Sequence, residues 1–179
     1  MMHEIILVNE LDEAIGSMGK MEAHQKALLH RAFSVFLFDK KGNMLLQQRA
    51  ATKYHSPSLW TNACCSHPMP GETTERAASR RLQQELGITT VLTKAFHFTY
   101  KAIFDNGLTE HEFDHVFVGE YEGEMNLNKE EVKDVCYKAM SEIKLELNNN
   151  PIAYTAWFKI AFPLLEKWLE QKKENHAAS

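Results

Sequence analysis

TNACCSHPMPGETTERAASRRLQQELGI (Thr61–Ile88) is the stretch on which the reading of the fold turns. Its second half is a helix with both ends marked. Thr73 or Thr74 suits the N-cap because a threonine hydroxyl accepts an orphan backbone N–H, Glu75 complements the helix dipole, and Gly87 suits the left-handed position past the last turn. The first half is a loop in which the thiol of Cys65 stands two residues before His67. A reactive sulfur, an imidazole of metal-ligand type and an arginine-rich helix ending in glutamate point to chemistry on a small phosphorylated substrate.

Upstream, EIILVN (Glu4 to Asn9) reads as a short strand, followed by a turn from Asp12 to Gly16 and a polar segment from Gly19 to His30. RAFSVFLFD (Arg31 to Asp39) and NMLLQQR (Asn43 to Arg49) flank Lys40 to Gly42 as a β-hairpin. Ala50 to Pro70 reads as a loop with three prolines. Downstream, strands are expected near Val91 to Tyr100, Phe113 to Tyr121 and Glu130 to Met140, then a turn at Asn148 to Pro151. Tyr154 to Lys173 reads as a helix with Pro163 inside it, and the residues from about 174 to 179 as a disordered tail. The pattern is an α/β (α+β) fold, a mixed β-sheet sandwiched by helices, in a single domain over residues 1–179.

The 179 residues, 44% of them hydrophobic, are enough for one core. A formal charge of −4 and the lack of a long basic run argue against a nucleic-acid partner. The longest apolar run, AFSVFLF (Ala32 to Phe38), is too short for a bilayer, and the acidic N-terminal segment is unlike a signal peptide. The expectation is a soluble, cytoplasmic protein without a membrane partner, monomeric or a weak homodimer. Three cysteines, two of them adjacent, do not make a disulfide framework in a chain of this size.

Three constellations carry chemistry. The first is metal-like: His24, His30, His67, Glu110 and Glu112. On a strand, Glu110 and Glu112 face one side about 7 Å apart at Cα, close enough to share an ion, whereas His24 and His30 meet only if the chain bends between them. Imidazoles with carboxylates suit Mn²⁺ or Zn²⁺ better than Mg²⁺. Separate surface histidines are the bland alternative, and a zinc held by Cys64, Cys65 and His67 another. The second constellation is basic: Lys20, Arg49, Lys53, Arg80 and Arg81 could hold a diphosphate or be ordinary solvated charge, and Glu85 could hold Mg²⁺ against that diphosphate or simply pair with Arg81. The third is catalytic: Cys65 and Glu112 as proton-transfer groups, Tyr100 beside them, and Trp157 as either a core residue or an indole face for a cation.

At these residues the chain resembles the type I isopentenyl-diphosphate delta-isomerases, a branch of the Nudix-fold superfamily. HRAFSVFLFD, LLQQR, LWTNACCSHP, RRLQQELGI, FHFTYKA, EHEFDHVF and YTAWF occur in that family's order along nearly the whole chain. The Nudix pattern itself is degraded: Glu72, Arg80, Glu85, Gly87 and Ile88 fit, while Ser66 replaces a glycine and Arg81 and Gln84 replace glutamates. Since the superfamily's hydrolases use those glutamates to hold metals, the loss favours the isomerase branch.

The resemblance implies a Nudix-like fold and interconversion of isopentenyl and dimethylallyl diphosphate, an allylic 1,3-rearrangement supplying isoprenoid building blocks, with no flavin. It implies Cys65 as the catalytic thiol, Glu112 as the catalytic carboxylate, Tyr100 as its helper and Trp157 as the cation-stabilising indole. His24, His30, His67, Glu110 and Glu112 correspond to ligands of an ion that could be Mn²⁺, Zn²⁺ or Mg²⁺. Glu85 corresponds to the carboxylate that holds Mg²⁺ with the diphosphate, and Lys20, Arg49, Lys53 and Arg81 to the substrate contacts. A divergent Nudix hydrolase and a non-enzymatic metal-binding module are the competing readings.

Overall fold

The apolar run that follows His30 forms a strand whose successive side chains enter two different cores, and this alternation sets the layers of the molecule. A computed structural model describes residues 4–177. In chain order the elements are β1 (Glu4–Val8), β2 (Ala14–Gly19), α1 (Lys20–Gln25), β3 (His30–Phe38), β4 (Met44–Arg49), β5 (Trp60–Thr61) and β6 (Cys64–Ser66). They continue with α2 (Thr74–Leu86), β7 (Thr93–Ile103), β8 (Thr109–Glu120), β9 (Val132–Lys138), α3 (Met140–Asn149), a 3₁₀ turn (Pro151–Ala153) and α4 (Ala156–Ala177).

Phe33, Val35 and Leu37 of β3 pack with Leu45 and Phe117 against Ala77, Ala78, Leu82 and Leu86 of α2. Phe36 points the other way and packs with Met44, Leu46, Val116 and Val118 against Trp157, Phe158, Ala161, Phe162 and Leu165 of α4. A period of two on the strands, with an apolar stripe on each helix, gives helices on both faces of a mixed sheet. β3 and β8 pair in parallel over nine positions, from His30↔Glu112 to Phe38↔Glu120, and β7 continues the sheet antiparallel to β8. The β3–β4 hairpin closes at Phe38↔Met44 and then opens, so that β6 pairs with β3 while β5 and β9 pair with β4.

The helix at the centre of the sequence reading has the caps its residues call for. The Arg76 N–H donates to Thr73 Oγ1 at 3.3 Å, a cap worth about 1 kcal/mol. Gly87 takes φ 69°, and a Cβ there would lie 2.8 Å from the Asn126 Cβ, so conformation and close approach both require glycine.

Elsewhere the structure corrects the reading. The segment taken as a turn and polar stretch contains β2 and α1, because β1 supplies an edge for an otherwise weak strand. Cys64–Ser66, taken as loop, is a strand paired with β3. α3 precedes the Asn150–Pro151 break, where only a turn was expected. α4 starts at Ala156 rather than Tyr154 and runs through Ala177, so residues 174–177 of the expected tail are helical, while 178–179 lie outside the described residues. Among the described residues no helix is long and apolar enough to cross a membrane.

Candidate active site

Two strand registers bring the distant candidates together. Tyr100 on β7 sits opposite Glu112 on β8, and Glu112 sits opposite His30 on β3, so one row across three strands carries a phenol, a carboxylate and an imidazole. All three project to the α4 face by parity with Phe98, Val116 and Phe36.

The chain does bend between His24 and His30. α1 ends at Gln25, Ala27 takes φ 55°, and the two rings lie with centroids 5.0 Å apart, tilted by 32°. His67 joins them at 5.0 Å from His30 and 5.8 Å from His24. One ligand atom from each of His24, His30, His67 and Glu112 lies within 4.8 Å of all the others, and all four residues are buried. Glu110 stands beside this cluster, bonded to Tyr100 and His55 instead.

The donor set of this cluster fits a cation. Both ring nitrogens of His24 and Nε2 of His30 are buried without a hydrogen-bond partner among the described residues. His30 Nδ1 lies 2.8 Å from the Leu28 carbonyl and, by donating to it, leaves Nε2 as a lone pair 3.4 Å from Glu112 Oε1. Two lone pairs facing each other in a buried site repel unless a cation lies between them. Burial lowers His24 to about 3, and burial with the Lys20 charge lowers His67 to about 4, so both imidazoles are neutral donors at neutral pH. Burial works against ionised Glu112, but the His30 and His67 rings beside it outweigh burial and hold the carboxyl well below its usual range. Neutral imidazoles with a carboxylate fit a divalent ion.

The Tyr100 hydroxyl lies 2.7 Å from Glu112 Oε2 and 3.0 Å from Glu110 Oε2. Burial and the Glu112 charge raise Glu110 to about 8, so a protonated and an ionised carboxyl share one phenol. This constellation suits proton movement.

β6 divides the two cysteines by strand parity. Cys64 is fully buried in the α2 core, whereas Cys65 pairs with Ser34 of β3 and lines the cavity. Cys64, Cys65 and His67 therefore cannot enclose one zinc. The Cys65 thiol is placed by Asn62, whose amide orientation is determined: Nδ2 donates to the carbonyls of Val35 and Cys64 at 3.0 and 2.9 Å, which leaves Oδ1 to accept from Cys65 Sγ at 3.0 Å. Thr155 Oγ1 donates to Thr61 Oγ1 at 3.0 Å, and Thr61 Oγ1 donates to the same Oδ1 at 2.9 Å. Ser34 Oγ, 3.4 Å from Sγ, donates to Asp114 Oδ2 at 2.7 Å. Burial, then the nearby Asp114, pushes the thiol well above its usual range, so Sγ carries its proton.

The basic candidates line the same cavity as Cys65, Tyr100, Glu110, Glu112 and Trp157. Lys20 places its ammonium 5.4 Å from the Tyr54 ring, and Arg49 stacks 5.1 Å over Trp157 while donating to the carbonyls of His55 and Ser56, each at 3.2 Å. Arg81 donates to Glu85 Oε1 at 2.6 Å, and Gln47 donates to Glu85 Oε2 at 3.0 Å. Glu85 is only 4% exposed, so it is no solvated surface group. Arg80 instead turns to Glu72, at 2.7 and 2.8 Å, outside this cavity.

A family model, "NUDIX domain", matches residues 28–158. A protein of Photorhabdus laumondii named "Isopentenyl-diphosphate Delta-isomerase 2" is 48% identical over 169 residues, covering 92% of this chain and 96% of that one. The chain belongs to the type I isopentenyl-diphosphate Delta-isomerases of the NUDIX family. The "Isopentenyl-diphosphate Delta-isomerase" of Pectobacterium atrosepticum is 45% identical over 172 residues, with 96% of each chain covered. A solved Deinococcus radiodurans structure shares the fold at a TM-score of 0.75 and 17% identity, covering 89% of this chain and 97% of that one.

Within this isomerase-family site, several residues had little or no signal in the sequence. Asn62, Ser34, Asp114 and Gln47 are buried polar residues on strands or their edges, indistinguishable by type from surface positions until the pairing is known. His55, with Nε2 3.2 Å from Glu110 Oε1 and its ring stacked on Phe104 at 4.9 Å, was hidden in a stretch read as loop. Asp114 had one available signal, as the third alternate carboxylate in EHEFD after Glu110 and Glu112.

Proposed function

We propose that the cavity carries out isopentenyl diphosphate isomerisation with Cys65 on one side and Tyr100 with Glu112 on the other. The observation that carries this reading is their common cavity: the sheet order β7, β8, β3, β6 brings the phenol and carboxylate from one side of the β8–β3 pair and the thiol from the other. Lys20, Arg49, Lys53 and Arg81 hold the diphosphate, and Glu85 holds the Mg²⁺ that accompanies it.

In the forward direction one group gives a proton to the terminal alkene carbon, which leaves a tertiary cation. The other group takes a proton from the carbon on the diphosphate side, and the double bond moves to its new position. The reverse reaction exchanges the two roles. Trp157, 3% exposed, replaces water along the cation, with a desolvated cation–π contact worth about 2 kcal/mol or more. That is small beside the roughly 8 kcal/mol at which enzymatic barrier reductions begin, so placement of the proton groups supplies most of the effect.

His24, His30, His67 and Glu112, with Glu110 beside them, would hold Mn²⁺, Zn²⁺ or Mg²⁺, the nitrogen-rich set favouring the first two. Such an ion supplies fixed positive charge that orients Glu112 and balances its ionised form. The hydrolase reading is disfavoured because Arg81 occupies a position where the Nudix pattern has a glutamate, while Glu72 is committed to Arg80.

The test is NMR of purified protein with isopentenyl diphosphate and Mg²⁺ in D₂O, run beside Cys65→Ala. Dimethylallyl diphosphate carrying deuterium, from the wild type alone, supports the reading. Phosphate release without isomerisation would move it to a hydrolase.

A further inference from the structure

Glu131, in the loop before β9, takes no part in the roles above, yet it lines the same cavity. Its backbone is held at both ends, since its N–H donates to the Asn128 carbonyl at 3.0 Å and its own carbonyl accepts from the Ala50 N–H at 2.9 Å. From this fixed base the carboxylate reaches two cations. Lys53 donates to Oε2, and Arg81 Nη2 stands 3.3 Å from Oε1 while also donating to Glu85. Two of the four cations assigned to the diphosphate are therefore joined through one carboxylate.

The pairing leaves anion-binding capacity unused. Arg81 Nε is buried and without a hydrogen-bond partner among the described residues, although a guanidinium edge is built to meet two oxygens at once. Burial works against ionised Glu131, but the Lys53 hydrogen bond and the Arg81 charge outweigh it, bringing its carboxyl down to about 2. In the free protein the carboxylate is therefore ionised at neutral pH.

We propose that Glu131 is a latch on the diphosphate cradle: an internal anion that holds Lys53 to Arg81 in the free protein and gives them up to the incoming diphosphate. The proposal rests on the reading of Lys53 and Arg81 as diphosphate contacts. Its consequence follows from the reaction. The diphosphate is unchanged between substrate, transition state and product, so binding it more tightly stabilises all three alike and slows release without lowering the barrier. A competing carboxylate weakens that uniform binding and keeps both diphosphates exchangeable.

Glu131→Gln keeps the size and one oxygen of the side chain but removes the charge. The probe is Mg²⁺ with inorganic pyrophosphate, titrated by calorimetry at low and high ionic strength beside KM and kcat for isopentenyl diphosphate. The expected result is at least a fivefold fall in the pyrophosphate Kd and a parallel fall in KM, without a rise in kcat. The gain shrinks with salt because it is electrostatic. Glu130→Gln, an exposed neighbour with the same change in net charge, shows no such gain. Weaker or unchanged pyrophosphate binding by Glu131→Gln overturns the latch, as does an equal gain from Glu130→Gln. A wild type that binds pyrophosphate but does not isomerise overturns the isomerase reading, while the Glu131→Gln titration still decides the latch. A wild type that binds no pyrophosphate overturns the cradle and the latch with it.

Discussion

Replacing Thr61 by valine removes one hydroxyl from the chain that places the Cys65 thiol and leaves the side-chain shape intact. In the native protein Thr155 donates to Thr61, and Thr61 donates to Asn62 Oδ1, which also accepts the S–H of Cys65. With valine, the Thr155 hydroxyl, in a residue with no exposure, loses its acceptor, while Oδ1 keeps only the thiol. An unpaired buried hydroxyl costs about 1–3 kcal/mol. At about 2–4 °C per kcal/mol for a chain of this size, the thermal midpoint falls by roughly 2–12 °C. The Asn62 amide remains anchored to Val35 and Cys64, so Sγ shifts by less than about 1 Å, and kcat falls roughly tenfold rather than the roughly hundredfold of a full ångström. The assay is scanning calorimetry with steady-state kinetics on Thr61→Val and Thr61→Ser, the serine restoring both kcat and KM. A Thr61→Val protein with the wild-type kcat, whatever its midpoint, would refute the view that this chain of hydroxyls places the thiol.

The two cysteines should separate cleanly. Cys65→Ala abolishes turnover while pyrophosphate still binds, whereas Cys64→Ala loses about 1–2 kcal/mol of core packing and keeps turnover; equal loss of activity in both would remove the distinction made by β6. Chelation lowers the thermal midpoint, and restoring Mn²⁺ or Zn²⁺ at about a hundred times Kd returns about 2.7 kcal/mol. His24→Ala loses that response, and an undiminished metal-induced shift in this variant would place the ion elsewhere. For the metal-free protein, stability peaks near pH 6.5. His24, His55 and His67 sit at about 3, 2 and 4 when folded, against about 6.5 unfolded, so below about 6.5 the unfolded chain takes up protons that the fold refuses and acidification destabilises. Glu110, at about 8 when folded, and Asp114, raised by burial, act oppositely. They hold protons in the fold that the unfolded chain has released, so stability falls as pH climbs from about 6.5 toward 8. Thermal midpoints rising steadily from pH 5 to 8 would contradict these assignments.

Read alone, the sequence was sufficient for the α2 helix, the β3–β4 hairpin and the mixed sheet between helices. Caps, a glycine turn and period-two apolar runs act through neighbours a few residues away. Motif order along the chain was likewise sufficient for the family, and residue chemistry singled out Cys65, His67, Glu112 and Glu85 as candidates. What remained closed depends on contacts between residues far apart in the chain. β2 exists because β1 offers it hydrogen bonds, and β6 because β3 does, and neither strand has the composition to announce itself.

The same holds in the site. Only the β7–β8–β3 register puts Tyr100, Glu112 and His30 in one row, and only the left-handed turn at Ala27 folds His24 back onto His30. Asn62, which fixes the thiol, and Glu131, which joins two cations, had no local signal because their function lies entirely in partners that are distant in sequence. Residue type and order therefore determined which chemistry is available. The tertiary structure decided which groups share a proton, a cation or a cavity, because hydrogen bonds and charge pairing act over a few ångströms of space, whatever the distance along the chain.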